Sequence, residues 1–165
     1  MKMAIVTGAA KNIGRATCES LSKLGYNILV HANTDKDGAD ETVKLVKENG
    51  VQSERIIGDL TKPETSQELV QEASKLGNIS VLVNNASQRE FNKFDDMTFD
   101  DWRFVMSINL DSLFHTCKAV LPEMKKNKWG RIIHVSSLSA KTPAILAAYR
   151  SSPPVFCLTS KIMAL

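Results

Sequence analysis

Five short apolar runs alternate with helix-like stretches along this chain, and that alternation limits its fold more than any other feature. Met3 to Thr7 is apolar and runs into Gly8, which reads as a buried strand. Asn12 to Leu24 has helical spacing, with Ile13, Ala16, Leu21 and Leu24 on one side, and Gly25 stops it. Tyr26 to His31 is a second strand. Asp40 to Glu48 is a polar helix ended by Asn49-Gly50, and Gln52 to Ile57 is a third strand. Thr61-Lys62-Pro63-Glu64 opens a helix in which Thr61 caps a backbone N–H and Glu64 reaches back. That helix passes Leu69, Val70 and Ala73 and ends at Gly77. Ile79 to Val83 is the fourth strand, Thr98-Phe99-Asp100-Asp101 opens a long helix to about Lys126, and Arg131 to Val135 is the fifth strand. Asn33 to Gly38 and Gln88 to Asp96 are loops. Strand–helix–strand units repeated in this way mean parallel strands, right-handed crossovers and helices on both faces. In open parallel sheets ligands sit beyond the carboxyl ends of strands, so the loop from Gln88 is a candidate binding wall.

The chain has 165 residues, 43% of them hydrophobic and 24% charged, with a net charge of +3. This is globular composition, sufficient for one domain over 1–165, and it excludes collagen-like and low-complexity scaffolds. No apolar run approaches the ~20 residues of a membrane span. Met1-Lys2-Met3 leads straight into the first strand, leaving no room for a signal peptide, so the expected location is cytoplasmic. Lys and Arg are scattered among acids, a solvated surface rather than a nucleic-acid footprint. Cys18, Cys117 and Cys157 form no C-x-x-C pair, and His31, His115 and His134 are isolated, so no metal site is expected. The cysteines read as core or surface thiols in a reducing compartment.

The turn after the first strand carries the chemistry. Gly8-Ala9-Ala10-Lys11-Asn12-Ile13-Gly14-Arg15 joins it to the first helix. Small residues here let backbone approach a phosphate, and the helix N-terminus offers unpaired N–H groups. A plain tight turn would also use two glycines. Position in the first strand–helix unit of an alternating chain favours the dinucleotide reading.

Other segments fall in a recognisable order. Thr7-Gly8 with Gly14 follows the pattern T-G-x-x-x-G-x-G, with Asn12 at the middle glycine, where Asn tolerates positive φ. Asp59-Leu60 follows the third strand, and Asn84-Asn85-Ala86-Ser87 ends the fourth. Asn109 lies in Ser107-Ile108-Asn109-Leu110, Leu121-Pro122-Glu123-Met124 ends its helix, and Val135-Ser136-Ser137 ends the fifth strand. Across almost its whole length the chain thus resembles the short-chain dehydrogenases/reductases, and among them 3-oxoacyl-[acyl-carrier-protein] reductase-like members. The resemblance implies a Rossmann-type doubly wound sheet of five strands in the order 3-2-1-4-5. It implies hydride transfer between nicotinamide and a small carbonyl or alcohol substrate, and a homo-oligomer for the full-length parent.

Coenzyme residues implied by the resemblance are Gly8, Ala10, Lys11, Asn12, Ile13, Gly14, Asn33, Asp59, Leu60, Asn85 and Ala86. An acid at the end of the second strand selects NAD in this family, whereas Val30-His31-Ala32-Asn33-Thr34 carries none. Lys11 occupies the basic position that pairs with the extra phosphate of NADP, and Lys36 stands ready to assist. NADP (as NADPH) is therefore expected and NAD is less favoured. The implied catalytic set is Tyr149 as proton donor, Ser137 on the carbonyl and Asn109 in a proton relay.

One member of that set is missing. The family places a lysine four residues beyond the tyrosine, where it lowers the phenol pKa and binds the nicotinamide ribose. Here that position is Pro153, and Pro154 follows. The downstream pattern to Leu158-Thr159 returns to register if one residue is missing between Ser152 and Pro153. Two prolines suit a helix's first turn, so the last helix is expected to start near Ser152 to Pro154. Three explanations stand: the lysine is truly absent, a residue is missing from the sequence, or the reading frame is cut short or shifted. Absence of the lysine would make the chain a catalytically inactive nucleotide-binding or subunit-pairing relic. The family also implies two further strands beyond Leu165, so the domain is expected to be incomplete at that end.

Overall fold

The computed structural model describes residues 1–88 and 96–136. Within them run β1 (Lys2–Val6), α1 (Asn12–Lys23), β2 (Asn27–Ala32), α2 (Lys36–Lys47), β3 (Ser53–Ile57), α3 (Pro63–Leu76) and β4 (Asn78–Asn84). After them come α4 (Phe99–Met106), α5 (Ser112–Lys126) and β5 (Arg131–His134). All strand pairs are parallel, in the order β3-β2-β1-β4-β5, as the alternation implies. Tyr149 and Ser137 lie outside the described residues, as do Cys157, the helix expected near Ser152, and most of the loop from Gln88 to Asp96.

Each strand divides its side chains between two apolar layers, because successive residues point to opposite faces. Ala4 and Val6 of β1 join Ile28 and Val30 of β2 and Val81 and Val83 of β4 beneath α1 and α2. Met3 and Ile5 join Leu29, Ile79, Leu82 and Ile132 beneath α3 and α5, which supply Leu69, Ala73, Val120 and Met124. Burial on both faces explains why the central strands read as continuous apolar runs rather than alternating ones.

Local chemistry shifts several expected boundaries. The segment from Asn33 to Gly38 is not all loop: α2 begins at Lys36, because the Asp35 carboxylate accepts from the Gly38 amide and caps it. Thr61 does not cap α3. Its own amide donates to Asp59 Oδ1, the N-cap is Lys62 without a side-chain bond, and Pro63 takes the first turn. In α1 the inward face is Gly14, Cys18 and Ser22, whereas Ile13, Ala16 and Leu24 are exposed. A helix laid close against a parallel sheet fills its contact row with small residues, and large apolar spacing misidentifies that row. The expected long helix is divided between α4 and α5 by a π-helical turn over Ser107–Asp111, with Thr98 and Asp101 forming the capping box at its start.

Leu82 is fully buried in the central layer. Leu82→Ala should cost about 2–5 kcal/mol, read from the denaturant midpoint. His31, in β2, is also buried. Burial holds its imidazole below the ordinary value of 6.5, against smaller upward pulls from the Gly58 carbonyl and Asp59. Burial likewise lowers His134. Below about pH 6.5 the unfolded chain takes up protons that the folded chain refuses, so stability present above that pH is lost as pH falls through the folded values. The denaturant midpoint should therefore drop between pH 7 and pH 5, and His31→Asn should flatten that drop.

Candidate functional site

The carboxyl ends of β1, β2 and β4 meet at the glycine turn. Gly8 has φ +62 and Asn12 has φ +51, so the turn uses the left-handed region at the first two of its three fingerprint positions. Asn tolerates it, as the sequence suggests. A side chain at Gly8 would come within 2.7 Å of Ala86 Cα, and one at Gly14 within 2.7 Å of Ala9 Cα and of Asn85 Nδ2. Neither glycine has room for a Cβ, so backbone lies against backbone.

The turn is held from behind. Thr7 Oγ1 donates to the Val83 carbonyl and accepts from the Asn85 and Ala86 amides, each at 3.0 Å. Asn85 Nδ2 donates to the Thr7 and Gly8 carbonyls at 3.0 and 2.9 Å. On the other side Thr42 Oγ1 donates to the Ala9 carbonyl at 2.9 Å. The Arg15 guanidinium donates to the Ala10 carbonyl at 2.5 Å and to the Gly38 carbonyl at 3.0 Å, and pairs with Glu41. The carbonyls of the turn are thus drawn away from the cleft. Its N-cap residue, Lys11, supplies no side-chain bond to the helix. The first-turn amides of α1 are left facing outward, and such a terminus favours a phosphate.

One cavity opens in front of these amides and a second adjoins it. The larger, about 490 Å³, is walled by Gly8, Ala10, Lys11, Asn12, Ile13, Gly14, Ala32, Asn33, Thr34, Asp35, Asn85, Ala86, Ser87 and Gln88. The smaller, about 140 Å³, is walled by Gly8, His31, Asn33, Asp59, Leu60, Ala86, Ser87, Gln88 and Ile108. Every coenzyme residue expected from the sequence lines one or both, whereas Lys36 lines neither. The wall at the end of β2 presents Ala32, Asn33 and Thr34, and its carboxylate, Asp35, already accepts from Gly38. A dinucleotide fits this donor set: a tight backbone cradle and free amides for a pyrophosphate, and the Asp59 carboxylate at the far end.

Asn109 lies in the π-helical turn, a wide turn of the kind that often marks functional positions. Its Oδ1 accepts from the Gln88 amide at 2.9 Å, and its Nδ2 donates to the Gln88 carbonyl at 2.8 Å. Asn109 therefore pins the start of the loop after β4 where that loop enters both cavities. Asn84, behind it, accepts from Thr116 Oγ1 at 2.9 Å and lies 3.3 Å from His134 Nδ1, joining β4 to α5 and β5.

Sequence reasoning missed the roles of three side chains here, Arg15, His31 and Thr42; Gln88, expected in a binding wall, enters through its backbone bonds to Asn109. A polar residue within an apolar strand was the available signal for His31. Thr42 and Arg15 hold the turn through its backbone carbonyls, which no residue pattern announces. Among the described residues no group of His, Cys, Asp or Glu could hold a metal ion, and no helix is long and apolar enough to cross a membrane.

The likeness to known proteins points the same way. The chain is 35% identical over 148 residues to glucose 1-dehydrogenase 2 of Bacillus subtilis, covering 86% of this chain and 56% of that protein. It is 35% identical over 138 residues to the 3-oxoacyl-[acyl-carrier-protein] reductase FabG of Staphylococcus epidermidis, covering 83% of this chain and 57% of that protein. The crystal structure of acetoin dehydrogenase from Enterobacter cloacae superposes with a TM-score of 0.87 at 32% identity, covering 93% of this chain and 62% of that one. The chain spans about half the length of the curated relatives it matches. Residues 2–153 match the short chain dehydrogenase family, and with its sheet order and glycine turn the chain belongs to that family, whose members bind nicotinamide coenzymes.

Proposed function

We propose that this chain is the coenzyme-binding part of an NADP-dependent short-chain oxidoreductase acting on a small carbonyl or alcohol. The observation that carries the reading is the cleft at the N-terminus of α1, with Lys11 at its mouth and Ala32 and Asn33 where an acid would select NAD. The first-turn amides of α1 would take the pyrophosphate and Asp59 with Leu60 the adenine. Lys11 would take the extra phosphate of NADP as a charge-assisted hydrogen bond. Bound coenzyme supplies or accepts the hydride. Tyr149 would exchange a proton with the substrate oxygen, Ser137 would orient that oxygen, and Asn109 would hold the relay beside Gln88. The relatives named above are called after a sugar, a 3-oxoacyl thioester and acetoin, which supports a carbonyl or hydroxyl carbon as the reacting centre. Exposed Phe104 and Phe114 on α4 and α5 accord with a homo-oligomer.

A second reading rests on Pro153. With no lysine four residues beyond Tyr149, the phenol would be without the family's cation that lowers its pKa. The chain would then bind coenzyme without turning it over.

Fluorescence titration tests the first reading. NADPH should bind at least ~5-fold more tightly than NADH, and Lys11→Ala should narrow that gap by roughly the ~1 kcal/mol of one exposed phosphate contact. Equal affinities would remove the coenzyme assignment. Turnover of NADPH with a panel of carbonyl compounds tests the second. Little or no rate is expected from the chain as it stands. With a lysine inserted between Ser152 and Pro153 and the family's C-terminal portion also supplied, turnover should appear, and adding Tyr149→Phe should abolish it. Strong NADPH oxidation by the unaltered chain would contradict the role given to the gap.

A further inference from the structure

One buried side chain ties together the ends of three strands around the smaller cavity. His31 is the last but one residue of β2 and is 1% exposed. Its Nδ1 accepts from the Gly8 amide at 3.3 Å, at the end of β1. Its Nε2 lies 2.9 Å from the Gly58 carbonyl, just beyond β3. Its own carbonyl accepts from the Ala9 amide at 2.8 Å. Two successive amides of the glycine turn are therefore committed to one residue.

Only one form of the ring satisfies both contacts. A backbone amide only donates, so Nδ1 must carry a lone pair; a carbonyl only accepts, so Nε2 must carry the proton. A second proton on Nδ1 would set N–H against N–H at Gly8. The ring lines the smaller cavity between Gly8, on the phosphate side, and Asp59, the residue after Gly58, on the far side. Gly8 itself packs closely on the end of β4: a Cβ at Gly8 would stand 2.7 Å from Ala86 Cα.

We propose that His31 is a positioning residue for the coenzyme: its neutral imidazole, protonated at Nε2, fixes the span between the glycine turn and the Gly58-Asp59 wall that receives the adenosine half. The inference rests on reading this cleft as a dinucleotide site, and the test separates the two.

NADPH is titrated into the chain, His31→Asn and His31→Leu, and the ring form of His31 is read from long-range 1H–15N spectra of the chain at neutral pH. His31→Asn keeps an acceptor for Gly8; His31→Leu keeps apolar bulk and removes both bonds. The spectrum should show a neutral ring protonated at Nε2. His31→Leu should weaken NADPH binding about tenfold, and His31→Asn should restore most of it. A ring protonated at Nδ1 or on both nitrogens would overturn the proposal. So would equal NADPH affinity in the chain and His31→Leu with the chain still binding. If the leucine variant does not melt cooperatively, His31→Asn and the ring form decide: an Asn variant that binds within about threefold of the unaltered chain, together with a ring protonated at Nε2, upholds the strut, and a greater loss in Asn overturns the acceptor role. Failure of the unaltered chain to bind any dinucleotide would instead remove the coenzyme reading, and the proposal with it.

Discussion

The amides at the start of α1 have no partner within the helix, and much of the surrounding structure serves to keep them that way. A helix N-terminus can satisfy its first amides with a capping side chain, with water or with a ligand. Here Lys11 stands in extended conformation as N-cap without a side-chain bond. The neighbouring carbonyls of the turn are taken up by Asn85, Thr42 and Arg15. What remains in front of α1 is a concentration of donors and the positive end of the helix dipole.

That arrangement depends on the sheet. The turn can be braced by Thr7 and Asn85 only because β1 and β4 are parallel neighbours that end side by side. It can be braced by His31 only because β2 flanks β1 on the other edge and β3 ends one strand further out. Parallel order 3-2-1-4-5 brings the ends of β1, β2, β3 and β4 around one cleft, where consecutive antiparallel strands would have sent alternate ends to opposite sides. The π-helical turn continues the logic: it gives Asn109 the orientation that pins Gln88, so the fourth wall is fixed as well.

The strands and the glycine turn were legible because their causes are local. Apolar runs bounded by Gly mark buried strands, and residues without a Cβ mark places where backbone meets backbone, as at Gly8 and Gly14. The inner face of α1 was not legible in the same way, because close packing there chooses Gly14, Cys18 and Ser22 over the large apolar residues that periodicity follows. The start of α2 was hidden by Gly38, a residue that reads as a loop signal but whose amide Asp35 caps. The roles of His31, Thr42 and Arg15 are non-local: each reaches a carbonyl or amide 5 to 33 residues away in sequence. Of the site itself, the coenzyme half was readable from the turn, from Asp59 and from Asn85. Of the catalytic set only Asn109 falls within the described residues; Ser137, Tyr149 and Pro153 lie outside them.

The central claim is that the exposed amides of α1 receive a dinucleotide phosphate. Amide chemical-shift mapping tests it most directly. On addition of NADPH, the largest 1H–15N shifts should fall on Lys11, Asn12, Ile13 and Gly14, with secondary shifts at Asn33, Asp59, Leu60 and Ala86. Shifts confined to another surface, or none at the first turn of α1 at saturating NADPH, would contradict the account.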